Sequence, residues 1–219
     1  MMGFEYAHRG LFDTEKGILE NTLAAFENAV KHGYGMELDV QLSRDGVVVV
    51  CHDGDLMHVY GKESVIKDLD YAQMPFLPTL EQVLHLVDGQ TPIIVELKHY
   101  DRIYLLAEKV RDLLKGYQGA YAVESFEFRI VRWFLKNAPE ILRGQLISKG
   151  FHVCQCLLSK PDFIAVRIGS EKSLWMRLAR GLFHPVTVAW TVRTPAQLEA
   201  AKACYTLHIF EKTALAAKD

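Results

Sequence analysis

No uninterrupted apolar run in this sequence approaches the roughly 18 residues that a membrane-spanning helix needs, so stable membrane insertion is not expected. Neither sign of charge dominates. The formal net charge is −2 and the pI is near 6.5, without the basic footprint of a nucleic-acid-binding chain. Cysteine is sparse: Cys51, Cys154, Cys156 and Cys204 are scattered, and C-x-C is neither a zinc-ribbon nor a thioredoxin spacing. These thiols are expected to be reduced. The start, M-M-G-F-E-Y-A-H-R-G, lacks a charged segment followed by an apolar core, so the expectation is a cytoplasmic protein without a secretory signal. Low-complexity segments and linkers are also missing, which favours one domain over residues 1–219. Composition leaves the oligomeric state open.

What is present is an ordinary globular composition, 50% hydrophobic and 24% charged. Its organising stretch runs from Met36 to Asp53. Met36, Leu38, Val40 and Leu42 alternate with Glu37, Asp39 and Gln41, the two-residue period of a strand. Asp45-Gly46 is a hairpin signal, and Val47 to Cys51 leads back to His52 and Asp53. A hairpin closing near Arg44-Asp45 sets His52 across from Glu37. Such a face is either solvated or holds a hard divalent cation on Glu37 and Asp39, with a histidine beside it for proton transfer.

Along the chain, strand and helix patterns alternate. A short strand from Phe4 ends in His8-Arg9-Gly10, and Asn21 caps a helix that stops at Gly33. Residues 54–78 read as a long irregular connection, and Thr79 caps a helix to Val87. Parallel strand candidates begin near Phe4, Met36, Ile93, Ala120, Arg143, Phe163, Val186 and Leu207, each followed by a helical stretch. Eight such units predict an α/β fold, a single (β/α)8 TIM barrel with a β-hairpin extension after the second strand. A doubly wound sheet is the alternative.

In such a barrel the carboxyl ends of the strands converge on the active site. Here those ends carry His8 and Arg9, Glu37 and Asp39, Glu96 and Lys98, with His52 from the hairpin. Three carboxylates suit Mg²⁺ or Ca²⁺ better than zinc. Two histidines suit a general acid and a general base, and Arg9 and Lys98 suit phosphate oxygens. Together they describe hydrolysis of a phosphate ester.

The order and approximate spacing of H-R-G at His8, E-N-T at Glu20, E-x-D at Glu37, D-G at Asp45 and H-D at His52 resemble the glycerophosphodiester phosphodiesterase family. E-L-K at Glu96, S-F at Ser125 and W-T-V at Trp190 extend the resemblance over nearly the whole chain. It implies His8 and His52 as the catalytic pair, Glu37, Asp39 and Glu96 as metal ligands, and Arg9 and Lys98 as phosphate-holding positions. It also implies a (β/α)8 barrel and a small-molecule glycerophosphodiester substrate cleaved to glycerol 3-phosphate and an alcohol. Leu19 replaces a proline common before E-N-T. The segment after His52 is short, and His208-Ile209-Phe210-Glu211-Lys212 stands where the family often reads I-T-D-x-P.

Trp190 and Phe126 are candidates for the pocket wall, Trp190 for contact with substrate. His58 and His99 lie near the site in sequence, whereas His32, His85 and His152 fall in helical stretches as surface or packing residues. Residues 172–183 mix cationic and apolar side chains, as does a barrel helix covering its sheet or a membrane-surface helix. The rival readings are a lysophospholipase D- or phospholipase-like diesterase acting on lipids, and a non-catalytic barrel binding phosphorylated metabolites.

Overall fold

The structure, a computed structural model, describes residues 1–148, 152–170, 173–183 and 186–215. The strands are β1 (Tyr6–Ala7), β2 (Gly35–Leu42), β3 (Val48–Val50), β4 (Asp55–Leu56), β5 (Lys62–Val65), β6 (Ile93–Leu97), β7 (Tyr121–Ser125), β8 (Arg143–Ile147), β9 (Phe163–Arg167), β10 (Val186–Val192) and β11 (Leu207–Phe210). The helices are α1 (Leu23–Lys31), α2 (Met57–Tyr60), α3 (Leu80–Val87), α4 (Ile103–Lys115), α5 (Phe128–Asn137), α6 (His152–Ser159), α7 (Leu174–Phe183) and α8 (Pro195–Cys204). Strands pair in parallel in the order β1-β11-β10-β9-β8-β7-β6-β2, and β1 pairs with β2 to close the ring. β3 runs antiparallel to β2 outside that ring. The fold is therefore the expected eight-stranded parallel barrel with a hairpin extension.

Alternation along each strand divides the core. Leu38, Val95, Val123 and Ile147 face outward and pack with Phe26 of α1, Val83 of α3, Val110 of α4 and Phe134 of α5. Tyr6, Ile94, Ala122, Leu146, Phe163, Ala165, Val188 and Ile209 come from strands alone and fill the lower barrel. Gly144 belongs to this packing, since a Cβ there would stand 2.2 Å from the Phe163 ring. With the lower barrel sealed by apolar groups, polar side chains one pleat higher face the open carboxyl end.

Several sequence expectations change in detail. Both faces of β2 are buried, so neither is solvated. The hairpin register pairs Val40 with Val50 and Leu42 with Val48, and pairing ends before His52. His52 therefore does not sit across from Glu37 in a ladder, and a bend after β3 carries it to the site. The α1 cap is Thr22, whose hydroxyl accepts from the Ala25 N–H, while Asn21 adopts a left-handed φ of 54°. The 54–78 connection is not wholly irregular. It contains the β4–β5 hairpin and α2, and buries Leu56, Ile66, Met74 and Leu77 in a small core shared with Val49 of β3 and Cys51. Among the described residues β11 is followed by a short 3-10 turn, Lys212–Ala214, rather than by an α-helix.

Candidate active site

A cavity of about 320 Å³ opens at the carboxyl end of the barrel. His8, Arg9, Glu37, His52, Glu96 and Trp190 line it, so six of the eight residues assigned catalytic, metal or substrate roles from the sequence meet in one cavity. Asp39 and Lys98 lie just behind it, 1% and 5% exposed.

The β1 end is built by backbone geometry. Arg9 has a left-handed φ of 54° and Gly10 a φ of 80°, where a Cβ would meet Ala25 at 2.9 Å. This turn aims the Arg9 N–H at Glu37 Oε2 (3.1 Å), and the Arg9 carbonyl accepts from the Asn21 N–H. The Arg9 guanidinium donates to Glu20 (2.6 Å) and lies 3.5 Å from Asp39. Asn21 turns its side chain inward and donates to Asp39 Oδ2 (2.9 Å). Its left-handed backbone thus positions a site group.

Parallel register aligns Asp39 with Glu96, and Glu96 with Glu124 on the next strand. Lys98 Nζ sits between two of these carboxylates, 2.7 Å from Glu96 and 3.2 Å from Asp39. Burial opposes ionisation of Asp39, yet Lys98, His52 and Arg9 outweigh it and hold the carboxyl well below its usual range. Glu37 is pushed well above the ordinary carboxyl range by burial, with the charges of Asp39, Glu96 and Glu124 adding to it. Burial likewise raises Glu96, and Lys98 opposes that shift. Glu124 is raised well above its ordinary range by burial and by the neighbouring Glu96 and Asp39.

Each histidine has a carboxylate beside Nδ1. His52 Nδ1 is 2.7 Å from Asp53, whose other oxygen lies 3.5 Å from the exposed His58. His8 Nδ1 faces Glu211 Oε1 at 3.3 Å, without the alignment of a hydrogen bond. Burial holds the His8 imidazole below its ordinary value, opposed by Glu211. Glu211 also accepts from Arg193 (2.9 Å), so the departure at the end of the last strand still supplies a carboxylate to the site.

The donor set is all carboxylate oxygen, which suits a hard divalent cation. Glu37, Glu96 and Glu124 each offer an oxygen within 4.8 Å of the others, and Glu124 Oε2 is buried without a hydrogen-bond partner. Sequence reading passed over Glu124. Its signal was a lone carboxylate in the otherwise uncharged strand Y-A-V-E-S. Asn21, Asp53, Glu211 and Arg167, which also lines the cavity, were likewise not assigned to the site from sequence. Lys98 was expected to face phosphate, but here it is engaged by Asp39 and Glu96.

Trp190 and Phe126 pack edge to face, with ring centroids 5.5 Å apart, and both line the cavity. His99 stacks on Tyr100 and does not line the cavity. His32 and His85 are exposed on helices, whereas the His152 side chain and Lys172 lie outside the described residues. On α7, Leu174 and Trp175 are exposed and Met176 is buried. No described helix is long and apolar enough to cross a membrane.

The sequence model of the Glycerophosphoryl diester phosphodiesterase family matches residues 8–151. A glycerophosphodiester phosphodiesterase of Caldanaerobacter subterraneus subsp. tengcongensis is 31% identical over an alignment of 183 positions, covering 74% of this chain and 71% of that protein. The human lysophospholipase D GDPD3 is 41% identical over 170 positions, covering 67% of this chain and 52% of that protein. A solved glycerophosphodiester phosphodiesterase structure from Thermotoga maritima matches with a TM-score of 0.81 at 25% identity, covering 98% of this chain and 97% of that one.

Proposed function

The chain belongs to the glycerophosphoryl diester phosphodiesterase family, and we propose that it hydrolyses water-soluble glycerophosphodiesters at the barrel mouth to glycerol 3-phosphate and an alcohol. Enzymes of this family are generally dependent on a divalent metal. The observation that carries the reading is the meeting of two histidines, an arginine and buried carboxylates in one cavity.

Glu37, Asp39 and Glu96 would hold the cation, Mg²⁺ or Ca²⁺, with Asp39 kept ionised by Lys98 and Arg9. When bound, the cation supplies positive charge that offsets the phosphoryl oxygens. Arg9, braced by Glu20 and Asp39, directs a fixed positive charge at the same group. Lys98 contributes through the carboxylates it bridges. Of the two histidines, one takes the proton from the attacking oxygen and the other returns a proton to the departing alcohol. Asp53 and Glu211 sit at Nδ1 of His52 and His8, which leaves Nε2 of each ring for proton transfer. Trp190 and Phe126 form the wall against which the organic part of the substrate rests.

The human lysophospholipase D relative favours a second reading, cleavage of lysophospholipids. The loop beside the site argues for soluble substrates instead, because Leu56, Ile66, Met74 and Leu77 turn inward and its exposed apolar side chains, Met57, Val65 and Phe76, are separated along the chain by charged residues. The same reading places the enzyme in the cytoplasm.

The test compares glycerophosphocholine and glycerophosphoethanolamine with the matching lysophospholipids, assaying glycerol 3-phosphate enzymatically. Higher kcat/KM on the soluble diesters, with glycerol 3-phosphate as the phosphorylated product, is expected. Preference for the lysophospholipid, or release of phosphocholine, would overturn it.

A further inference from the structure

The reading above gives Glu124 no part, yet its position demands one. It is 2% exposed, lines the cavity beside Glu37 and Glu96, and stands in register with Glu96 on the adjacent strand. Its Oε2 is buried with no hydrogen-bond partner, and among the described residues no cation pairs with its side chain. A buried carboxylate left this way is costly unless it ionises against a positive charge or stays protonated.

The placement of its neighbours favours a positive charge brought from outside the chain. Glu37, Glu96 and Glu124 line the cavity with Asp39 just behind them, and Arg9, Lys98, Arg167 and Arg193 are the fixed cations at this end of the barrel. Lys98 is engaged by Asp39 and Glu96, and the Arg9 guanidinium by Glu20 and Asp39. The oxygens of Glu37, Glu96 and Glu124 lie within 4.8 Å of one another, close enough for all three to reach one ion.

We propose that Glu124 is a direct cation ligand beside Glu37 and Glu96, and that it makes this site prefer Ca²⁺ to Mg²⁺. Mg²⁺ keeps several waters and usually takes one or two carboxylates in a strict octahedron. Ca²⁺ accepts six to eight oxygens in adaptable geometry and is favoured where carboxylates crowd. The inference rests on the proposed cation site but not on the reaction carried out there.

The test is isothermal titration of Ca²⁺ and of Mg²⁺ into the metal-stripped full chain and its Glu124→Gln variant, with circular dichroism to check the fold. Gln keeps the shape and removes the charge. The Ca²⁺ Kd should rise by at least the roughly 10- to 100-fold that loss of even an outer-shell partner costs a metal site. The Mg²⁺ Kd should rise by a smaller factor. An unchanged Ca²⁺ Kd would overturn Glu124 as a ligand, and an equal loss for both ions would overturn the preference. If Glu124→Gln fails to fold, Tb³⁺ luminescence titration of Glu124→Asp gives the same comparison, because the shortened carboxylate should bind more weakly. Failure of the phosphodiesterase reading looks different: Ca²⁺ binding that depends on Glu124, with no turnover of any glycerophosphodiester.

Discussion

The ammonium of Lys98 lies 2.7 Å from the carboxylate of Glu96, two residues earlier in the same segment, and 3.2 Å from Asp39 on the neighbouring strand. Lys98 is 5% exposed, so this is an internal cation set among acids rather than a surface pair. Burial opposes its charge, but Asp39 and Glu96 outweigh that and raise the ammonium above its ordinary range.

Removing that cation should therefore cost more than an ordinary surface charge does. Lys98→Met leaves Asp39 and Glu96 buried without their partner, a change expected to destabilise the metal-free protein by about 3–5 kcal/mol. Urea denaturation with and without chelator measures it. Added Ca²⁺ should recover part of the loss, since a divalent cation offsets the same carboxylates. A stability equal to wild type in chelator would show that the pair contributes nothing.

Proton transfer by two imidazoles predicts similar losses at either ring. His8→Ala and His52→Ala should each lower kcat by about 10²- to 10⁴-fold with the circular dichroism spectrum preserved. Asp53→Asn and Glu211→Gln should give smaller decreases, because each group only orients a ring. Unchanged kcat in a histidine variant would remove that residue from the mechanism.

Exhaustive chelation should abolish turnover, and Ca²⁺ or Mg²⁺ should restore it. Glu37→Gln and Glu96→Gln should shift the activating metal concentration upward, because each removes an anionic oxygen ligand. Full activity after chelation would exclude a metal role.

A fourth expectation concerns pH and the closure of the chain. Asp13, before α1, pairs with Lys212 after the last strand. The hydrogen bond from Lys212 holds the Asp13 carboxyl below its ordinary value. A carboxyl whose folded pKa is depressed contributes stability above its unfolded pKa, about 3.9, and loses it as pH falls through the folded value. Lys212→Met should therefore melt below wild type at pH 7, and the gap should close as the pH falls below the unfolded value and through the depressed folded one. A Tm gap that persists in acid would assign the effect to packing instead.

Local pattern and composition were enough for the architecture. The two-residue period of β2 with the 3.6-residue stripes of α3 and α4 mark elements whose apolar faces can be buried only against one another. Repetition of that unit eight times leaves a closed barrel as the economical arrangement. Most of the reacting groups were legible too, because histidine, arginine and glutamate at the ends of apolar strands stand out from their surroundings. What the chain order could not convey was partnership between strands. Whether Asp39 meets Lys98, whether Asn21 caps a helix or clasps Asp39, and whether Glu124 joins Glu37 and Glu96 all depend on inter-strand register and on left-handed turns at Arg9 and Asn21. The orientation of His52 was misjudged for the same reason, since a bend ends the hairpin ladder before it arrives. Propensity and periodicity are properties of neighbouring residues, whereas the charge balance of the cavity is set by residues as far apart as Arg9 and Glu124, and only closure of the barrel brings them together.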